Sequence, residues 1–395
     1  MMKLASTRIQ PRPRGADGRV RSGSAGLGTR PGSAVIASCV AIALTIGCTS
    51  RKEEPAAASA KTATVQRALD VPRDRVWAAS THVRVIDAAM GQVVSGAQLS
   101  HAINDMAFTA DGRRAFVASS DGMYEIDVET TKLGAHLTTS PARQVLIAPD
   151  GKSIGVLEHD VVVGKDGART VMPFRWKTVS LDDGKVLSTE TAGDRVLAVA
   201  PGYGTHASVV LFEAGVVMLV PAGQALEKGG RALDLAGGQE PLAFGKMIPR
   251  QYLTVNHEGT RAYFPVEGTP SRILEVDLVA GTSRAIALGG QLHLRGLALS
   301  PDEKKLVVNA MRSMVVVDLV TAKVTGSIEL GAAHTGAVVS EDGSRVYLAQ
   351  TVDEKGGAVT IVGLDPLRVQ GKIHLDDISP WVIGIAPRAA MASAR

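Results

Sequence analysis

Residues 113–151 read RRAFVASSDGMYEIDVETTKLGAHLTTSPARQVLIAPDG. Apolar runs such as Ala115–Ala118 and Val145–Ala148 alternate there with Ser-Ser-Asp-Gly, Glu-Thr-Thr-Lys and Pro-Asp-Gly. Runs of about four to six Val-, Ile-, Ala- and Leu-rich residues bounded by Gly, Asp and Ser are strand signals, too short for helices. The same arrangement returns at 75–112 (RVWAASTHVRVIDAAMGQVVSGAQLSHAINDMAFTADG) and 305–343 (KLVVNAMRSMVVVDLVTAKVTGSIELGAAHTGAVVSEDG), and again in 345–388. Each unit holds an apolar run, a small turn, a second run ending in Asp, another turn, a third run and a longer loop. A fourth run then closes the unit, usually in an Asp-Gly turn.

The Asp after the second run recurs at Asp87, Asp127, Asp182, Asp277, Asp318 and Asp365. One gap is double, and its missing marker falls near Pro221, after the run Val216–Val220. Seven units result, each with four strands. A fixed period with four strands per repeat predicts an all-β fold, a seven-bladed β-propeller of four-stranded antiparallel blades over residues 73–390. One such sheet cannot bury both faces alone, whereas sheets stacked around an axis cover one another. The first unit begins at Arg75–Ser80 with a run that elsewhere follows the Asp-Gly turn, and the last ends at Trp381–Pro387 with no successor. Pairing these two ends in one blade closes the ring. Residues 158–175 read as an inserted hairpin, and 391–395 as a C-terminal tail.

The strands Ala115–Ser120 and Arg345–Gln350, the run Tyr124–Asp127 and the turn Pro149-Asp150-Gly151 resemble the repeat of the YVTN-type propeller family. The resemblance covers about residues 74–390. It implies the amine-dehydrogenase heavy-chain-like superfamily, whose relatives include lactonases and surface-layer proteins, and it specifies fold far more than function.

The N-terminus reads differently. Residues 1–33 are rich in Arg, Gly, Ser and Pro, and Ala34–Ile46 carries no charge. A positive region, a short apolar segment and a small residue before the break describe a signal peptide over 1–47. The segment is shorter than the about 20 residues of a membrane-spanning helix. Leu44-Thr45-Ile46-Gly47-Cys48 resembles the lipobox of bacterial lipoproteins, which implies lipidation at Cys48. Residues 48–72 are then a flexible tether. In double-membrane bacteria, Thr49 after the acylated Cys implies the outer membrane, facing the periplasm or the cell surface.

Removing 1–47 takes seven of the 43 basic residues and one of the 39 acidic ones, leaving 36 against 38. That excludes an electrostatic nucleic-acid binder. Cys39 leaves with the signal, so no thiol remains for a disulfide, a zinc cluster or a nucleophile. Aromatic residues make up 4%, too few to supply broad stacking platforms.

The marker aspartates fit turn-tying, bonding backbone N–H groups two residues on. Gly151-Lys152-Ser153-Ile154-Gly155 matches Gly-x-Ser-x-Gly but follows an Asp-Gly turn into a strand, where a nucleophile elbow needs a strand-to-helix turn. No catalytic residue, metal site or cofactor is expected. The candidate binding residues are His101, His293 and His334, each eight to ten residues before the closing-turn Asp or its equivalent Asp302, with Arg143, Arg295 and Trp381 near the corresponding positions of their units. All are expected at one mouth of the channel, where they would bind a small anionic ligand or a partner protein, more tightly below about pH 6 as the imidazoles charge. The expected function is a membrane-tethered binding module without catalysis. The alternatives are a heavy-chain-like subunit of a quinoprotein amine dehydrogenase and a lactonase-like hydrolase.

Overall fold

The computed structural model describes residues 74–148, 151–163, 169–193, 196–201, 206–212, 216–221, 230–234, 253–351 and 356–388, all within the unit Thr64–Arg395. The segments expected as signal peptide (1–47), with Cys48, as tether (48–72) and as tail (391–395) lie outside these residues.

The chain enters with β1 (Arg75–Ala79), β2 (His82–Asp87) and β3 (Gln92–Gln98). Blade one follows as β4 (Ile103–Phe108), β5 (Arg114–Ser119), β6 (Gly122–Asp127) and β7 (Leu133–Thr138). Blade two is β8 (Ala142–Ile147), β9 (Ser153–Glu158), β12 (Phe174–Ser180) and β13 (Val186–Gly193), interrupted by a separate hairpin of β10 (Val161–Val163) and β11 (Arg169–Val171). Blade three is β14 (Val196–Pro201), β15 (His206–Phe212), β16 (Val216–Pro221) and β17 (Arg231–Asp234). Blade four is β18 (Thr254–Val255), β19 (Arg261–Val266), β20 (Arg272–Asp277) and β21 (Thr282–Ala287). Blade five is β22 (Gly296–Leu299), β23 (Lys305–Ala310), β24 (Ser313–Asp318) and β25 (Lys323–Glu329). Blade six is β26 (His334–Val339), β27 (Arg345–Gln350), β28 (Gly357–Leu364) and β29 (Leu367–Leu375). Blade seven joins β30 (Val382–Ile385) to β1, β2 and β3 in the order β3-β2-β1-β30.

The ring is closed. Inner strands touch in sequence: β4 on β8, β8 on β14, β14 on β18, β18 on β22, β22 on β26, β26 on β30, and β30 back on β4. Burial explains the strand sequences. Second strands such as β5, β23 and β27 are buried from their second residue onward, because neighbouring blades cover both faces, and they read as nearly unbroken apolar runs. Outermost strands such as β7 and β25 are largely exposed and carry polar residues. Each seam has an apolar core. Val76, Ile86, Tyr347 and Ile361 fill the seam between blades six and seven, and Phe116, Met123, Val145 and Val156 that between one and two.

Closure takes the expected form. β1 pairs antiparallel with β30, Val76 opposite Ile385 and Ala79 opposite Val382. Asp74, just before β1, accepts from Tyr347 Oη at 2.9 Å and from Arg388 Nη2 at 2.7 Å, while Arg388 Nε lies 2.8 Å from Glu341. The first and last described residues are thus tied through blade six. Burial and the Asp74 carboxylate push the Tyr347 phenol up.

The turns behave as chemistry requires, with one correction. Asp87, Asp127, Asp277 and Asp318 each end a third strand and accept from backbone N–H groups two or three residues on. Each is the register partner of the first residue of its second strand, as in Arg114 opposite Asp127. In blades two and six that partner is Ser180 and Gly363, so Asp182 and Asp365 stand two residues past the marker position. At Asp111-Gly112 and Asp342-Gly343, the glycines take φ of +65° and +71°, and the carboxylates bond the N–H two residues on. Ser153 of the Gly-x-Ser-x-Gly match opens strand β9, and a Cβ on Gly155 would lie 1.8 Å from Trp176 Cζ2. It is a packed strand.

Candidate functional site

The loops from outer strand to next inner strand, and from second strand to third, share one face of the ring. His101, between β3 and β4, reaches Asp121, between β5 and β6, with Nδ1 2.8 Å from Oδ2. Tyr124 Oη donates to the same oxygen at 2.6 Å, and Ser119 Oγ donates to Asp121 Oδ1. Burial pushes the Asp121 carboxyl up, but Ser119, Tyr124 and His101 outweigh it and hold the group below its ordinary range. Tyr124 is pushed up to about 12, by burial first and then by Asp121. A carboxylate on Nδ1 fixes the imidazole's orientation and turns Nε2 outward. His136 stacks on Tyr124 with centroids 4.1 Å apart, and its Nε2 lies 3.2 Å from the Asp121 carbonyl.

Arg143, in β8, places its guanidinium 5.3 Å from the centroid of the Phe174 ring. His159 packs on the same ring at 5.1 Å, and burial, then the Arg143 charge, lowers its pKa. His293 is exposed, and Arg295 is half-buried with its backbone N–H on the Asn309 carbonyl at 2.7 Å. Trp381 is half-buried, and its indole N–H donates to the Ile103 carbonyl, bridging blade seven to blade one.

That bridge belongs to a series. Asn104 Nδ2 donates to the Ala142 carbonyl at 2.8 Å, and Asp105 Oδ2 accepts from Val145 N at 3.1 Å, linking blades one and two. Gln144 bonds both ways with Val199, at 2.6 and 2.9 Å, linking two and three. Thr335 Oγ1 donates to the Pro380 carbonyl at 3.2 Å, linking six and seven. Side-chain bonds to neighbouring backbone therefore fix the inner wall beneath the loops.

His334 departs from expectation. It is the first residue of β26 and fully buried, with Nδ1 2.9 Å from the Ala332 carbonyl and Nε2 3.0 Å from Thr360 Oγ1. Thr360 Oγ1 also lies 3.1 Å from Gln350 Oε1. Burial pulls the His334 pKa down to about 4, so it carries no charge at pH 6. Of the three histidines, His101 and His293 present themselves on the loop face and His334 does not. Among the described residues, no hydrogen bond or ion pair joins the three.

Sequence reasoning missed Asp121, Tyr124, His136, Glu158 and Arg175. A usable signal was present, since Ser119, Glu158 and Gln350 are polar residues ending otherwise apolar second strands. Among the described residues, no group of three His, Cys, Asp or Glu side chains is placed to hold a metal ion, and no helix is long and apolar enough to cross a membrane.

No family model matches the chain, and no curated protein matches it in sequence. Solved structures do share its fold. A functionally unknown protein from Desulfotomaculum acetoxidans superposes with a TM-score of 0.60 at 16% identity, covering 80% of this chain and 99% of that one. Apo AztD from Citrobacter koseri gives 0.55 at 14%, covering 79% and 98%. The dihydro-heme d1 dehydrogenase NirN, in complex with DHE, gives 0.55 at 15%, covering 81% and 76%. At such identities the likeness carries the propeller and nothing finer.

Proposed function

We propose that the chain is a YVTN-type propeller lipoprotein of the bacterial envelope, anchored through Cys48, whose loop face binds a small anionic ligand or a partner protein without catalysis. The supporting observation is a closed inner wall that carries Arg143 in β8, under loops that carry Arg295 and the Asp121-oriented His101. A fixed wall with converging polar groups is the usual form of a binding face, and a preorganised site keeps the entropy of binding low.

The test uses the full chain in detergent, titrated calorimetrically with citrate and with a hexaglutamate peptide. Salt-sensitive binding, weakened about tenfold by Arg143→Ala with Arg295→Ala, is expected for two lost charge contacts. Absence of salt-sensitive binding to either probe refutes the anionic reading. Mass spectrometry of the membrane fraction addresses the anchor separately. It should find acylated Cys48 at the N-terminus, and an unmodified N-terminus elsewhere overturns that part.

A further inference from the structure

An ionised carboxylate is stable in a protein interior only where its oxygens find donors. Glu158 ends β9 with its side chain fully buried. Its Oε1 lies 2.5 Å from Lys177 Nζ and 3.3 Å from Arg175 Nη2, but Oε2 is buried and has no partner. Arg175 spreads the same Nη2 to Asp160 Oδ2 at 3.0 Å and Ser140 Oγ at 3.2 Å, leaving its own Nε buried and unpartnered. Register places the groups together. Arg175 is the cross-strand partner of Glu158 and Lys177 that of Val156, on the face packed toward Phe116, Ala118 and Met123 of blade one. An unmet acceptor and an unmet donor thus stand on neighbouring residues at the end of the seam between blades one and two. Arg175 is 34% exposed and Asp160 43%, so the cluster reaches solvent.

Charge selects the guest. An ammonium group would suit Oε2 but meet Arg175 and Lys177, and a carboxylate or phosphate would suit Nε but meet Glu158 and Asp160. A neutral hydroxyl satisfies both, donating to Oε2 and accepting from Nε. Ser140 and Asp160, both on Arg175 Nη2, would supply partners for a second hydroxyl on the same molecule. We propose that this seam binds a neutral polyhydroxyl ligand, a sugar or sugar alcohol, through Glu158 Oε2 and Arg175 Nε. Trp176 packs over Gly155 on the opposite face of the sheet, so recognition rests on hydrogen bonds without aromatic stacking.

The experiment is ligand-observed NMR on the full chain in detergent, with glucose as probe and glucosamine and glucuronate as cationic and anionic counterparts. Glucose should bind more tightly than either charged analogue. Arg175→Lys keeps the cation but removes the Nε donor, and about a tenfold loss is expected for one hydrogen bond within a charged pair. Glu158→Gln should weaken binding comparably. If that variant does not fold, Arg175→Lys alone decides. Equal binding of the three probes, no glucose binding, or unchanged affinity in Arg175→Lys overturns the proposal. So does a crystal structure grown with glucose in which Arg175 closes on both Glu158 oxygens. Failure of anion binding at Arg143 and Arg295 leaves this site untouched, and the reverse also holds.

Discussion

Acidification from pH 6.5 to about pH 4 should weaken this fold through one histidine. His334 is enclosed between the Ala332 carbonyl and the Thr360 hydroxyl. Burial drives its pKa down to about 4 from 6.5, the nearby Lys372 charge adds to that, and the backbone contacts to Ala332 and Met311 oppose it without prevailing. In the unfolded chain the same group protonates near pH 6.5. Between these values the unfolded state holds more protons, so stability is complete above pH 6.5 and falls as the pH drops toward 4. At 1.36 kcal/mol per pKa unit the loss is about 3 kcal/mol, a large share of the stability of an ordinary domain. Asp111, Asp302 and Asp342 also have depressed pKa values, but their contributions disappear only below the unfolded carboxylate value of 3.8. His159, lowered by burial, acts below pH 6.5 in the same direction. The comparison must therefore be between slopes. Urea unfolding of wild type and His334→Gln at pH 7.5, 6, 5 and 4.5 supplies them. The variant should start less stable and lose less, the two curves converging by up to about 1.4 kcal/mol per pH unit. Parallel curves, or an NMR titration placing His334 near 6.5, refute the reasoning.

Three further outcomes follow from closure and packing. Deleting residues 71–81 removes β1, exposes the edges of β2 and β30, and should cause aggregation or loss of cooperative unfolding, whereas deleting 49–65 should leave the melting temperature nearly unchanged; equal stability of both truncations argues against the closed ring. Asp74→Asn weakens the bonds to Tyr347 and Arg388 and should cost about 1–3 kcal/mol by chemical denaturation. Gly155→Ala drives a methyl into the Trp176 ring and should also cost about 1–3 kcal/mol, part of it recovered when Trp176→Leu is added.

The architecture was legible because every blade poses the same burial problem. Second strands are covered on both faces and outer strands on one, so apolar runs recur with the blade, and the run at Val216–Pro221 could be placed without its Asp. The hairpin inside 158–175 stood out as an interruption of that rhythm. Asp182 and Asp365 were misplaced because composition locates a turn while the ladder fixes its register, and two residues separate them here. The histidines were found by counting back from the closing Asp, and the count itself held the missing distinction. His101 and His293 lie ten and nine residues before Asp111 and Asp302, in loops ahead of β4 and β22. His334 lies eight before Asp342, which puts it inside β26 and against Thr360 of its own blade. One residue of spacing separates an exposed imidazole from a buried neutral one. Asp121 and Arg175 carried no comparable periodic signal, since each is polar in a loop or strand end where polar residues are ordinary.

The end of the second strand is where the blades cease to be equivalent. Ser119 there feeds Asp121, Glu158 collects Lys177 and Arg175, and Gln350 lies beside Thr360 and His334. Blades four and five hold Val266 and Ala310 at the same place. The position tolerates this variety because it sits where the seam opens to the loop face, so a side chain can be buried at its stem and still find polar partners at its tip. Elsewhere along the strand a polar substitution would meet an apolar seam and lose its hydrogen bonds. Among the described residues, His101, Asp121, His136, Arg143, Glu158 and Arg175 cluster at blades one and two, and His293 and Arg295 lie at blade five. The hydroxyl ligand proposed at Glu158 and Arg175 would sit off the ring axis, over the seam between blades one and two. Substitutions in those blades should therefore change recognition most, and matched substitutions at blade four least.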